Sequence, residues 1–400
     1  LAEKTITSMA HLGARAFGSI SGEVVQTTVC VLKNKYVDNY KPVFYRLLDG
    51  AEDDKRLALI AGEHRYANTA QDEFKKIPGS PVAYWLSMNA LEAFSMSQDL
   101  KNVTPAAVGL QTGENDRFVR RWFEVSYSNI GFGFDSCMSS NVSALPWFPY
   151  NKGGEYRRWH GNQDFIVNWL NDGKEIKSFV DSNGKLRSRP QNTDCYFKPS
   201  ISWSDITSGQ TSFRYFEKGF IYDVTGMSAQ NVDDVSLKKT LAFCNSKIVG
   251  WIVKSLNPTL HFQVGNYHSL PYIDKVARQV DADDINRCIN LSAHDSSHFE
   301  NSFSFKHSPL ILYANDSIES SEGRCLNLES NYTAWITHNR DTIAEMKRLE
   351  EENNRLFIDA YGLADELTPE VPSEQITLTV NPAYRYGVKG TEEERDTRFR

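Results

Sequence analysis

The residues best suited to chemistry lie between Trp147 and Trp159, where Trp147, Phe148, Tyr150, Tyr156 and Trp159 alternate with Lys152, Arg157 and Arg158 around the pair Gly153-Gly154. Lysine and arginine attract phosphate whatever the base sequence, aromatic faces stack on bases at about 1–3 kcal/mol each, and adjacent glycines let a backbone approach a ligand closely. The segment therefore reads as a nucleic-acid contact. Aromatic strands with an arginine or two also build ordinary cores and their rims, so composition leaves both readings open.

Other chemistries find little support. His294 and His298 are four apart and could share a helical face as metal ligands, but Ser and Asp surround them and no third ligand comes at a recognisable spacing, so no metal is expected. There is no Walker-type phosphate loop, no G-x-S-x-G elbow, no H-E-x-x-H and no G-x-G-x-x-G. Asn381-Pro382-Ala383-Tyr384 resembles the Asn-Pro-Pro-Tyr signature with which amino-group methyltransferases hold a flipped-out base. Ala at its third position breaks the signature, and its place after an acidic stretch makes it a chance match.

With 400 residues, 40% of them hydrophobic and 24% charged, the chain can bury substantial cores and reads as two or three globular domains. A net charge of −7 argues against a uniformly basic coat, yet the acidic runs Glu350-Glu351-Glu352 and Glu392-Glu393-Glu394 crowd the C-terminal end, while the stretches 117–158 and 185–218 lean positive. A basic groove on an acidic protein is compatible with that pattern. The six cysteines, at 30, 137, 195, 244, 288 and 325, are far apart and form no C-x-x-C pair, which fits a reducing, cytoplasmic setting. No apolar run approaches the roughly 20 residues that cross a bilayer, so no membrane association is expected. The sequence starts at Leu1 and stops at Arg400 inside a charged, helix-favouring stretch. It is expected to be a piece of a longer protein.

These residues need elements to position them. Glu23–Leu32 and Pro42–Leu48 read as two paired strands, with a helix over Asp53–Arg65. Asn115–Val125 reads as a short helix with Asn115 or Thr112 near its N-cap, and 142–222 as short strands and turns with hairpin signals at 171–173 and 182–184. Leu237–Leu256 has the apolar spacing of one helix. A long amphipathic helix is predicted over Ser330–Tyr361, stopped by Gly362, with its charged face in solvent.

The order of segments carries a resemblance. Ala10-His11-Leu12-Gly13-Ala14-Arg15-Ala16-Phe17 with Gly22–Leu32 resembles the stretch downstream of the Asn-Pro-Pro-Tyr motif in large adenine-specific DNA methyltransferases, and Val108–Phe118 resembles the opening of their target-recognition domain. Trp147–Trp159, Lys198–Ile206 and Leu241–Lys247 continue the series. Together they are similar to the PglX family of BREX phage-defence methyltransferases over essentially the whole chain.

The resemblance implies an α/β fold, the end of a class I methyltransferase domain over 1–100, followed by an α+β target-recognition domain over 101–328 and a helical C-terminal segment over 329–400. It implies double-stranded DNA as a partner, together with other BREX defence proteins, and S-adenosylmethionine as the cofactor of the full-length enzyme. The cofactor loop and the Asn-Pro-Pro-Tyr motif are expected to precede this segment, which therefore contributes no catalytic residue and transfers no methyl group alone. An aromatic commonly stacks on the base such enzymes extrude, and Phe17 is the candidate, although a Phe ahead of a strand is more often core.

In the recognition domain, Lys152, Arg157, Arg158, Arg187, Arg189 and Arg214 are candidate phosphate or base contacts, and Trp159 and Tyr215 candidate stacking or wedge residues. Thr112 and Asn115 could cap a helix whose N-terminus faces a phosphate. Two other readings stay open: a freestanding DNA-specificity subunit, for which the first 48 residues would have no purpose, and part of a nuclease–methyltransferase fusion.

Overall fold

The first sheet is built around β1 (Thr5–Gly13), which pairs antiparallel with β2 (Thr27–Lys33) on one side and parallel with β3 (Val43–Arg46) on the other; β4 (Arg65–Tyr66) pairs antiparallel with β3. The two strands read from the sequence thus flank β1 instead of pairing with each other. The structure, a computed structural model, describes residues 3–18, 25–206, 210–257, 260–315, 328–387 and 390–399; Glu23 and Val24 of the expected strand, like Cys325, lie outside them. The chain divides into two compact units, Leu1–Ser97 and Gln98–Arg400.

In the first unit, Ile6, Phe44, Phe74 and Tyr84 form the core, with Phe44 and Tyr84 stacked at 4.3 Å. The helix Glu52–Ala61 ends at Gly62 in the left-handed conformation. Its Lys55 is buried, and its ammonium donates to the carbonyls of Leu12, Leu47 and Leu48 at 2.7, 2.8 and 2.9 Å. All three donors are thereby satisfied where strand ends leave carbonyls unpaired.

The second unit holds two further four-stranded sheets. One, in the order β10-β9-β12-β5, joins Arg214–Phe216, Ser200–Ser202, Ser228–Ala229 and Ala106–Ala107. The other, in the order β11-β7-β8-β6, joins Ile221–Tyr222, Trp147–Asn151, Phe165–Asn168 and Val119–Arg121. The helix expected over Asn115–Val125 is a single turn, Asn115–Phe118, because Val119, Arg120 and Arg121 pair with Val167, Ile166 and Phe165. Ser182-Asn183-Gly184 turns a hairpin, with Val180 opposite Leu186. Asn171-Asp172-Gly173 does not. Those three residues are left-handed within Leu170–Lys177, and a Cβ on Gly173 would lie 2.5 Å from the Trp169 ring.

Leu237–Leu256 is two helices, Asp234–Cys244 and Lys247–Leu256. At the break, the Asn245 side chain accepts from the Phe213 N–H and donates to its carbonyl, both at 3.0 Å, as a strand partner would. The long helix runs Leu328–Ala360 and stops before Gly362, at φ 66°. Its polar face is not simply solvated, since Glu350 and Asn354 are buried. Asn354 accepts from the Lys247 N–H at 2.8 Å and donates to the Pro369 carbonyl at 3.0 Å. Among the described residues no helix is long and apolar enough to cross a membrane, and the five described cysteines are unpaired.

Candidate nucleic-acid interface

The 147–159 segment enters the second unit as β7, whose period-two alternation is overridden by burial on both faces. Phe148 and Tyr150 are fully buried in the aromatic core with Trp169, Tyr196 and Phe197, and the Tyr150 hydroxyl donates to Asp223 Oδ2 at 2.6 Å. After β7 the chain turns through Gly153 and Gly154 at φ 71° and 139°. A Cβ would sit 2.9 Å from the Thr225 carbonyl oxygen at Gly153 and 2.7 Å from the Asn162 side chain at Gly154, so the first glycine serves close packing against backbone and the second against a side chain.

Arg157, Arg158 and Trp159 come next, and each has a partner inside the protein. Arg158 Nη1 lies 2.6 Å from Glu350 Oε2, its Nε donates to the Tyr156 hydroxyl at 2.8 Å, and Trp159 Nε1 donates to Glu350 Oε1 at 2.7 Å. Burial drives the Glu350 carboxyl upward in pKa against the pull of Arg158 and Trp159. Arg157 donates to Thr379 Oγ1 at 2.7 Å and sits 3.7 Å from Asp295, whose carboxylate accepts the Thr379 and Val380 N–H groups.

Three candidates are corrected by this burial. Arg158 is spent on Glu350, and Trp159, 1% exposed, is a core residue and not a wedge. Arg214 is fully buried, donating to the Arg157 carbonyl and to Ser204 and Ser212; burial and the neighbouring Arg157 charge push its guanidinium down to about 10. None of the three faces solvent. The helix-cap expectation also changes. Glu114 is the N-cap residue, Thr112 is buried with its hydroxyl donating to Asn115 Oδ1 at 2.7 Å, and a four-residue helix has almost no macrodipole to offer a phosphate.

The remaining candidates are more accessible. Asn115 is exposed; Lys152 is partly exposed, 3.5 Å from Asp223. Tyr215 is half-buried, its hydroxyl donating to Asp234 at 2.8 Å and its ring under the Lys238 ammonium. Phe17, in the first unit, is 50% exposed in the loop after β1. Arg187 and Arg189 are exposed at the end of the 180–186 hairpin. Arg187 and Arg117 both lie over the Phe179 ring, at 5.3 and 5.1 Å, and each meets an exposed carboxylate, Glu114 and Glu175. Ion pairs this exposed are worth little and exchange readily for phosphate.

The structure also brings together residues that sequence reasoning missed. A cleft of about 490 Å³ opens beside Gly154 and Arg157, lined among others by Arg121, His160, Gln163 and Phe299. His160-Gly161-Asn162-Gln163-Asp164 is a polar run directly after the aromatic segment, and that run was a readable signal. Nothing in the sequence ties Asp295 and Thr379 to Arg157. Among the described residues, no group of three or more His, Cys, Asp or Glu is arranged to hold a metal; His294 and His298 pack ring against ring at 4.5 Å. Asn381 caps the helix Pro382–Tyr386, its amide donating to the Ser373 and Ile376 carbonyls at 2.7 and 2.8 Å.

The chain is 37% identical over 381 residues to the adenine-specific methyltransferase PglX of Lacticaseibacillus casei (strain Zhang), and 36% identical over 394 residues to the adenine-specific methyltransferase BrxX of Escherichia coli O9:H4 (strain HS), matches that take in 93% and 98% of its length. It is a homologue of these adenine-specific methyltransferases. This PglX/BrxX homologue spans 31% and 30% of the two relatives' lengths. No protein-family model matches it. Among solved structures, the Type IIL restriction-modification enzyme MmeI in complex with DNA superposes with a TM-score of 0.42 at 8% identity, over 94% of this chain and 44% of that one, a likeness too loose to fix a fold.

Proposed function

We propose that this chain is part of a site-specific DNA adenine-N6 methyltransferase of a phage-defence (BREX) system, and that residues 101–328 serve chiefly to read the DNA target. What carries the reading is the identity of more than a third to two adenine-specific methyltransferases along nearly the whole chain. The exposed arginines 117, 187 and 189 are consistent with it: Arg117 and Arg187 have only exposed carboxylates as ion-pair partners, and Arg189 is exposed two residues beyond Arg187. Phe17, accessible in the loop after β1, remains the candidate for stacking on an extruded adenine.

Methyl transfer itself belongs, in this reading, to parts of the protein outside the chain. S-adenosylmethionine supplies the methyl group in such enzymes, but the residues present do not fit it: there is no Gly-rich loop, and Asn381, which begins the nearest match to the Asn-Pro-Pro-Tyr motif, has its amide committed to two backbone carbonyls. The deciding experiment is binding of the chain to duplex DNA across a salt series, random sequence against a selection-enriched pool. Steep salt dependence with a selected consensus supports target recognition; salt-insensitive or absent binding overturns it for this chain.

A further inference from the structure

The C-terminal end of the first sheet gathers hydrogen-bond donors around an unpaired cation. Arg46 is the last residue of β3 and lies beside His11, its register partner near the end of the parallel strand β1. Strand alternation sets both on the face where Phe44 enters the core, and Tyr84 and Trp85 pack over that face. The Arg46 guanidinium lies 5.1 Å over the Trp85 ring. Its Nε is buried, its two terminal nitrogens reach the surface, and among the described residues no carboxylate or other acceptor answers any of the three.

His11 adds a second donor. The Tyr84 hydroxyl meets its Nδ1 at 3.4 Å, and with the hydroxyl donating, the ring carries its proton on Nε2. Burial, then the charges of Arg46 and Lys55, hold His11 below its ordinary pKa, so this is a neutral imidazole at physiological pH. The three ammonium protons of Lys55 go to the carbonyls of Leu12, Leu47 and Leu48, which takes away the acceptors that these strand ends would offer a cation. Asp49 and Asp54 bear on Lys55, but the charges that bear on His11 are Arg46 and Lys55, and the groups that bear on the Tyr84 hydroxyl are Arg46 and the Tyr66 phenol.

A metal needs acceptors, and a neutral ligand leaves the guanidinium unanswered. An oxyanion satisfies both donors, with the outer edge of the guanidinium giving two N–H groups to two oxygens. Tyr66, 37% exposed and edge-on to Tyr84, and the partly exposed Trp85 set aromatic rings beside the cation, the surroundings that the sugars and bases flanking a phosphate favour.

We infer that the end of β1 and β3 binds a phosphate group, with Arg46 and His11 as its donors. The site lies in the first unit, apart from the residues proposed above to read the target; only a DNA backbone as the source of the phosphate rests on that reading.

The test titrates the whole chain with inorganic phosphate at constant ionic strength, following the His11 imidazole resonances by NMR in the native protein and in Arg46→Gln, with thermal melting as the check on folding. His11 should shift saturably and its pKa should rise as the anion arrives, and Arg46→Gln should weaken binding about tenfold at unchanged Tm. A His11 signal that phosphate does not move, an equal affinity in Arg46→Gln, or acetate acting as well as phosphate would overturn the assignment. If Arg46→Gln melts early, Arg46→Lys, which keeps a charge without the planar pair of donors, decides by the same fall in affinity. A short duplex then separates the sources. Duplex that moves His11 and competes with phosphate identifies the DNA backbone; phosphate that acts where bound duplex leaves His11 unmoved keeps the site for a free phosphate compound. Duplex bound with no response of His11 to either ligand removes the site and leaves DNA reading standing, whereas phosphate bound by a chain that ignores duplex keeps the site and removes DNA reading.

Discussion

Arg158 and Glu350 meet at 2.6 Å across 192 residues of chain, both nearly inaccessible, and the same carboxylate takes the Trp159 indole N–H on its other oxygen. The pair ties the chain just after β7 to the long helix Leu328–Ala360. Removing one partner of a buried pair strands the other, at about 3–5 kcal/mol. Glu350→Gln should therefore lower stability by that order in urea unfolding, and Arg158→Met combined with Glu350→Leu should recover most of it. A single variant as stable as the native chain would show that the pair is dispensable. Loss of DNA binding in Arg158→Ala would, on this account, report unfolding and not a missing phosphate contact.

Arg187 and Arg189 provide the contrasting case. Both are exposed, and the Arg187 ion pair with Glu114 is 3.4 Å long between half-exposed side chains. Each substitution to Ala is expected to leave Tm within a degree or two and, if the residue neutralises a phosphate, to reduce the slope of log affinity against log salt by about one. Unchanged slopes in both variants would remove these two arginines from any contact with DNA.

What the sequence made legible was local. The hairpin at 182–184 and the stop at Gly362 arise from turn residues whose backbone preferences act over a few positions. The break at Asn245 was hidden, because its amide pairs with the backbone of Phe213, 32 residues earlier. Asn171-Asp172-Gly173 has hairpin composition but coils left-handed against Trp169, a packing choice that turn chemistry does not encode. The candidate site divides in the same way. Arginines near the end of a polar hairpin were readable as exposed, whereas the fate of Arg157, Arg158 and Arg214 depends on Asp295, Glu350 and the serines that surround them, partners visible only once the chain is folded.

His298 links stability to pH. It is 6% exposed at the C-terminal cap of the helix Ala282–Ser297, packed against the His294 ring, and burial, then the charges of His294 and His338, push it down to about 4 from 6.5. On acidification the unfolded chain takes up this proton first. Stability is then fully present above pH 6.5 and falls as pH drops from 6.5 towards 4, by up to about 1.4 kcal/mol per pH unit for this group. Urea midpoints for His298→Phe should fall less steeply across that window than those of the native chain, and parallel curves would refute the assignment.

The first unit carries an association hazard that has a simple remedy. Among the described residues β2 is an edge strand of its sheet, and Val29 and Val31, two residues apart and so on one face, are 54% and 56% exposed. An edge with free backbone groups beside apolar side chains invites pairing with another chain, and a charge placed there opposes it. Val31→Lys should lower concentration-dependent light scattering without lowering Tm, because the side chain it replaces buries little in the folded unit. Scattering unchanged by the lysine would direct attention to the second unit, where Met138 and Val142, 80% and 82% exposed, are the next apolar surface to charge.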